Sequence, residues 1–213
     1  MVSLFAVHLS DFLLDTPWWV GGWIVAGLLL AWSCYRFPEQ EIPQTALLTA
    51  AFFISSSIHL KFGRTSVHLL LNGLVGTMLG RRTPVAIMIG LVLQAVLLQH
   101  GGFLVLGLNA VVMSVPGLLV PRLFRFLLRP PLSGGRAFAY GWLTGSLTVL
   151  ATILIHAGVL IAGGIEDLQL LAATGFLLHL PLALIEGVML ATVCQYLAVV
   201  KPELLRVKPA AKN

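Results

Sequence analysis

The chain has 213 residues, of which 58% are hydrophobic and only 10% charged, and its formal net charge is +5. A soluble core of that size cannot hide so much apolar surface, so a water-soluble domain is excluded and an integral membrane protein, with the lipid bilayer as its surroundings, is expected. Its 13 Lys and Arg residues fall in short clusters between apolar runs, which is the pattern of membrane topology, and no nucleic-acid partner is expected.

The stretch FAVHLSDFLLDTPWW, residues 5 to 19, places His8 with Asp11 and Asp15 ahead of the first long apolar run. It has no basic leader and no A-x-A pattern, so a removable signal peptide is not expected. Residues 1–17 are read as an external segment, 18–200 as one helical bundle and 201–213 as a cytoplasmic tail. A helix crossing a bilayer needs about 20 apolar residues. On that measure seven segments follow in order: 18–34, 45–60, 67–80, 84–98, 103–120, 138–163 and 168–200. The third and fourth are short and the last is too long for one straight span. Pro181 lies inside it and is expected to kink it, or to split it into a short re-entrant piece and a span.

Seven crossings with the N-terminus outside put Arg36, Arg81, Arg82, Arg122, Arg125, Arg129, Arg136, Lys201, Arg206, Lys208 and Lys212 on the inner side, and only Lys61 and Arg64 on the outer. Positive charge is retained on the cytoplasmic side of membrane proteins, so this bias supports an external N-terminus and a cytoplasmic C-terminus. Trp18, Trp19 and Trp23 then anchor the first helix at the outer interface. Gly76 with Gly80, and Gly141 with Gly145, form G-x-x-x-G patterns that mark close helix approach. Residues 129–136, with Pro130, Pro131, Gly134 and Gly135, read as a cytoplasmic linker. Cys34 and Cys194 make no C-x-x-C pair and are read as packing residues.

Ionisable groups within a membrane segment are costly and therefore functional candidates. The six histidines are His8, His59, His68, His100, His156 and His179. His59 and His68 flank one external turn, His100 sits in the next, and His156 lies toward the outer end of the sixth helix. Spacing alone assigns no site, because a lone buried histidine is commonly a hydrogen-bonded packing residue. Glu186, two helical turns after His179 on about the same face, could pair with it, meet a coupling partner or be a protonated structural carboxyl.

The order of motifs resembles a known family. Val7-His8-Leu9-Ser10-Asp11 followed by Trp18-Trp19, Ser55-Ser56-Ser57 leading to Thr65-Ser66-Val67-His68-Leu69, and Asn72-Gly73-Leu74-Val75-Gly76 occur in sequence. Between Gln94 and Asn109 comes a Q-A-x-L-L-x-H-G-G-x-x-x-L-G-x-N pattern, the most specific stretch, and Glu186-Gly187-Val188 with Lys201-Pro202-Glu203-Leu204-Leu205 close the series. Together they resemble the CbiM/NikM family, the substrate-binding membrane subunits of cobalt and nickel energy-coupling-factor ABC transporters. The resemblance implies an all-α integral membrane protein of bacterial or archaeal cell membranes that takes up Ni(II) or Co(II). It implies His8 and His68 as imidazole ligands, with a backbone nitrogen of the N-terminal segment as a further donor. Ser66, Asn72, His100 and Asn109 are candidates to orient those ligands or join the site. Nitrogen ligands suit both metals. The family's histidine is its second residue, whereas Met1 to Ala6 precede Val7 here, so the Val7 amide stands where a free amine would be; Phe12 also replaces the family's glycine.

The resemblance further implies cytoplasmic ATPase subunits and a membrane coupling subunit as partners. No G-x-x-x-x-G-K-[ST] phosphate cradle occurs in the chain, so it is not expected to be an enzyme in its own right. The competing readings are a membrane haem bundle using His68, His100 and His156, and a sibling subunit importing a different micronutrient. An intramembrane metalloenzyme lacks its H-E-x-x-H.

Overall fold

The computed structural model describes residues 9, 11, 13–58, 60–62, 65–128, 134–164 and 169–205. Among them are α1 (Thr16–Cys34), α2 (Ile42–Ser57), α3 (Asn72–Leu79), α4 (Thr83–Leu98), α5 (Leu106–Leu128), α6 (Gly134–Gly163) and α7 (Gln169–Val200). A short hairpin, β1 (Leu60–Phe62) and β2 (Thr65–Val67), joins α2 to α3, with Leu60 opposite Val67. Prolines stand in the first turns of α1, α2 and α4, where a missing N–H costs nothing and the fixed φ favours helix initiation.

Five helical stretches are long and apolar enough to cross a membrane: Thr16–Cys34, Asn72–Leu98, Leu106–Leu128, Gly134–Gly163 and Ala172–Val200. The second comprises α3, one 3-10 turn and α4, and the chain reverses inside it. Helix contacts establish the reversal. Asn72 and Gly76 of α3 meet Met113 and Gly117 of α5 in the same order, so those two helices are parallel. Arg81 and Arg82, leading into α4, instead reach the carbonyls of Trp32 and Ser33 at the far end of α1. Helix α1 is itself parallel to α5, since Gly22 packs on Leu108 and the Trp32 ring lies under Arg122. Gly80, with φ of 53°, takes the turn.

The remaining helices alternate. Phe52 and Ser56 of α2 meet Gly90 and Gln94 of α4, and Gly141 and Gly145 of α6 meet Ala191 and Gly187 of α7 in reverse order. Both glycines of that pattern therefore face α7 directly, as close packing between membrane helices requires. The main core, with Ala26, Phe52, Leu70, Leu79, Ile87 and Val149 among its members, draws on all seven helices. Cys194 is buried with Tyr140 and Leu190, whereas Cys34 at the end of α1 is exposed.

Two expected elements differ. The segment 67–80 is not one span: β2 pairs with β1, and Leu71 takes a left-handed conformation, φ 46°, that cannot continue a helix. Only the eight residues of α3 remain helical, about 12 Å of rise against a hydrocarbon core of about 30 Å. Pro181, by contrast, does not split α7, which runs 32 residues without interruption. Its missing N–H removes one backbone bond, and the rest of the ladder holds the helix together.

Arg36, Arg81, Arg82 and Arg122 gather at one end. The Arg82 guanidinium is buried, 2.5 Å from the Glu41 carboxylate and bonded to the carbonyls of Ser33 and Arg36. Arg81 donates to Trp32 O at 2.8 Å and lies 5.2 Å from that ring. Cations here meet the negative end of the α1 dipole.

Candidate functional site

At the opposite end the residues that follow His8 are locked into the bundle. Leu9 is 1% exposed, its N–H donates to Asn109 Oδ1 at 3.0 Å, and its carbonyl accepts from Asn109 Nδ2 at 3.0 Å. A primary amide is the side chain that can satisfy both groups of one peptide residue at once. Asp11 Oδ1 accepts from the amides of Leu104 (2.9 Å) and Val105 (3.2 Å), so a carboxylate sits on the positive end of α5. Gly102 makes room for it, because a Cβ there would lie 1.9 Å from that oxygen. Farther along, Leu14 bridges to Gly164 and the Asp15 N–H donates to Gly163 O at 3.0 Å. Leu9 and Leu14 bury themselves against Val105, Leu108, Val112, Val159 and Leu160.

His68 approaches the same end from another direction. It follows β2 and is 1% exposed. Its Nδ1 lies 3.0 Å from Leu69 O, and a carbonyl only accepts, so Nδ1 carries the proton and Nε2 holds the lone pair. Such a tautomer is the state in which an imidazole ligates a metal. Two residues later the backbone is gripped by Glu186 of α7, which is buried. One carboxyl oxygen accepts from Leu70 N–H and the other from Leu71 N–H at 3.0 Å. The carboxyl thus closes the N-terminus of α3 in place of a local cap. Asn72 then donates from Nδ2 to Met113 O (3.0 Å) and to Thr152 Oγ1 (2.8 Å), tying α3 to α5 and α6. Met113 lies one helical turn along α5 from Asn109. Leu9 and Asn72 are thus held to α5 at points one helical turn apart, about 6 Å along its axis.

Of the residues singled out by sequence, Val7, His8 and His59 lie outside the described residues. Ser66 is in β2 opposite Lys61. Asn72 and Asn109 are brought to this end of the bundle, and both spend side-chain donors on the backbone or on a neighbouring hydroxyl. His100, in the turn after α4, donates its N–H to Gln94 O at 3.2 Å. Among the described residues no three His, Cys, Asp or Glu side chains gather closely enough to hold an ion. Glu186 is turned to α3, and His179 Nδ1 bonds Gly175 O at 2.6 Å, so the anticipated pairing of Glu186 with His179 is not formed. The roles of Asp11 and Glu186 escaped sequence reading because each caps a backbone about 90 to 120 residues away, leaving no local signature.

Asn109→Ala is expected to strand two buried backbone groups of Leu9, at a cost of roughly 1–3 kcal/mol each. Limited proteolysis followed by mass spectrometry should show faster cleavage near residue 9 than in the wild type.

Comparison with known proteins adds three findings. Residues 8–204 match the family described as cobalt uptake substrate-specific transmembrane region, CbiM. A metal transport protein of Haemophilus influenzae is 32% identical over 199 residues, covering 93% of this chain and 97% of its own. A fused nickel transport protein NikMN of Archaeoglobus fulgidus is 27% identical over 211 residues, 96% of this chain and 70% of that one. In structure, the chain is similar to a truncated transition-metal transporter solved by crystallography, with a TM-score of 0.66 at 20% identity over 94% of this chain and 100% of that one. This last likeness concerns the fold.

Proposed function

Because this chain belongs to the CbiM family of cobalt-uptake substrate-specific transmembrane regions, we propose that it captures Ni(II) or Co(II) as cargo on the outer face of a bacterial or archaeal cell membrane, as the metal-binding subunit of an ATP-driven importer. The observation that carries this reading is the reciprocal Leu9–Asn109 pair. It fixes the residue next to His8 at the mouth where the His68 loop also arrives. His8 and His68 supply imidazoles, the Val7 or His8 amide a further nitrogen, and Asn72 and Asn109 hold the two supporting backbones. His100 and Ser66 stay outside the ligand set.

The seven helices alternate in direction, which supports a seven-segment membrane path with the N-terminus outside. The basic end with Arg81 and Arg82 then faces the cytoplasm. The third segment is a broken crossing: the non-helical backbone of Leu70 and Leu71 is tolerated at depth because Glu186 satisfies it. Cytoplasmic ATPase subunits and a membrane coupling subunit supply the energy. The chain lacks a phosphate cradle of its own, and the fused nickel relative extends beyond the region matched here.

The test is metal content and affinity of the purified protein, by elemental analysis and competition titration, for wild type, His8→Ala and His68→Ala, together with the intact mass at the N-terminus. Near-stoichiometric Ni(II) or Co(II), with affinity falling 100-fold or more in each variant, is the expected result. Wild type that binds neither ion, or variants that bind as well as it does, would overturn the capture site.

A further inference from the structure

Two histidines take no part in the site above. His156 lies on α6 and His179 on α7, and the Nε2 atoms of both are buried without a hydrogen-bond partner. His179 is 3% exposed, and its ring is oriented by the Nδ1 contact to Gly175 O, which leaves the lone pair on Nε2. A buried imidazole nitrogen with no partner is an unmet demand in a low-dielectric interior.

The register of the two helices brings these atoms toward one another. Gly141 meets Ala191 and Gly145 meets Gly187 across the antiparallel α6–α7 interface. Extending that pairing places His156 opposite Phe176, and His179 opposite Ile153, about one helical turn apart. Neighbours of both histidines at three- and four-residue spacing are buried, namely Thr152, Ile153, Val159 and Leu160 on α6 and Leu182 and Ala183 on α7. Both rings therefore sit on the inward-facing side of their helices. Side chains on a helix lean toward its N-terminus. His156 thus leans inward along α6 while His179 leans outward along α7, and the one-turn offset closes.

We propose that His156 and His179 form a second, weaker metal station between α6 and α7, at the depth where α3 begins, with their Nε2 atoms as the two protein donors. The depth follows from Thr152, which sits one turn from His156 and accepts from Asn72, the first residue of α3. Two neutral imidazoles suit Co(II), Ni(II) and Zn(II). With two protein donors in place of a full set, an ion is held loosely, as a path that must also release its cargo requires. The inference rests on the capture reading for its biological use, though not for its chemistry.

The test is a Co(II) titration of the full-length wild-type protein in detergent, read by visible absorption. It is repeated for His68→Ala and for the double variant His156→Gln, His179→Gln. Wild type should show a tight equivalent and a second at least tenfold weaker. The double variant should lose the second and keep the first, and His68→Ala should do the reverse. A wild type that saturates at one equivalent, or a double variant that still takes up two, would overturn the second station. If His68→Ala keeps the tight equivalent while the double variant loses the weak one, the station stands and the capture site fails. Should the double variant not fold, paramagnetic broadening of 15N-histidine resonances in the wild type decides: broadening of two histidines outside the capture site supports the pair, and sharp signals for them sink it.

Discussion

Glu186→Leu is expected to weaken Ni(II) or Co(II) binding by at least tenfold and to lower the thermal midpoint by several degrees. The carboxyl is the acceptor for the N–H groups of Leu70 and Leu71, and both amides are deep in the bundle. Leucine fills a similar volume and accepts nothing, leaving two buried donors unmet at roughly 1–3 kcal/mol apiece. Leu71 also sits at φ 46°, a conformation that an L-residue with a branched side chain holds only when its surroundings impose it. Released from Glu186, the loop relaxes, and His68, two residues upstream of Leu70, loses its fixed approach. Glu186→Gln keeps one carbonyl oxygen but turns a donor toward the second amide, so its affinity should lie between the other two. Metal titration and thermal unfolding of the three proteins check the order. Equal affinities for wild type and Glu186→Leu would show that the loop holds its shape without the carboxyl.

Gly76→Val is expected to abolish accumulation of folded protein. A Cβ at this position would lie 1.7 Å from Gly117 O and 2.5 Å from its carbonyl carbon. Both are backbone atoms and cannot swing aside. Gly117 is where α3 and α5 touch, and its carbonyl is the one that Pro121, lacking an N–H, leaves without its helical donor. The close approach of Gly76 shields that carbonyl, so separating the helices would cost packing and expose an unpaired acceptor to hydrocarbon as well. Gly27→Ala is the control. Nothing lies within 4 Å of a Cβ there, and alanine favours a helix over glycine by up to about 1 kcal/mol. Size-exclusion profiles of the two variants should therefore differ completely, and a folded, monodisperse Gly76→Val would refute the contact.

The apolar runs located the long helices well, because stretches such as 18–34 and 138–163 admit one structure in a bilayer, yet against seven expected spans five helical stretches among the described residues are long and apolar enough to cross. They failed at 67–80. Val67 and Leu69 to Leu71 are as apolar as any helical residue, and the features that stop a helix there lie elsewhere in the chain: the strand partner Leu60 and the Glu186 carboxyl. At Pro181 the split that a proline could make does not occur, because α7 loses only one bond to it. The pattern from Gln94 to Asn109 did not reveal what its residues bond to. Gln94 donates to Ser56 and accepts the N–H of His100, which closes α4 through Gln99 in a left-handed cap. Asn109 grips Leu9. Residues that look like ligands by type here bond to backbone and to neighbouring hydroxyls, and only three-dimensional contact reveals it.

The N-terminal clamp also dictates an order of assembly. Leu9 waits for Asn109, 100 residues downstream, and Leu14 and Asp15 wait for Gly163 and Gly164 at the end of α6. A chain inserted into the membrane from its N-terminus cannot form these contacts until α5 and α6 are made. The first residues to be synthesised are thus among the last to settle, as expected when contacts are remote in sequence and loop closure must come first. Until α5 and α6 are in place the N-terminal segment has nothing to dock on, so this end of the bundle is the last part of the molecule to close.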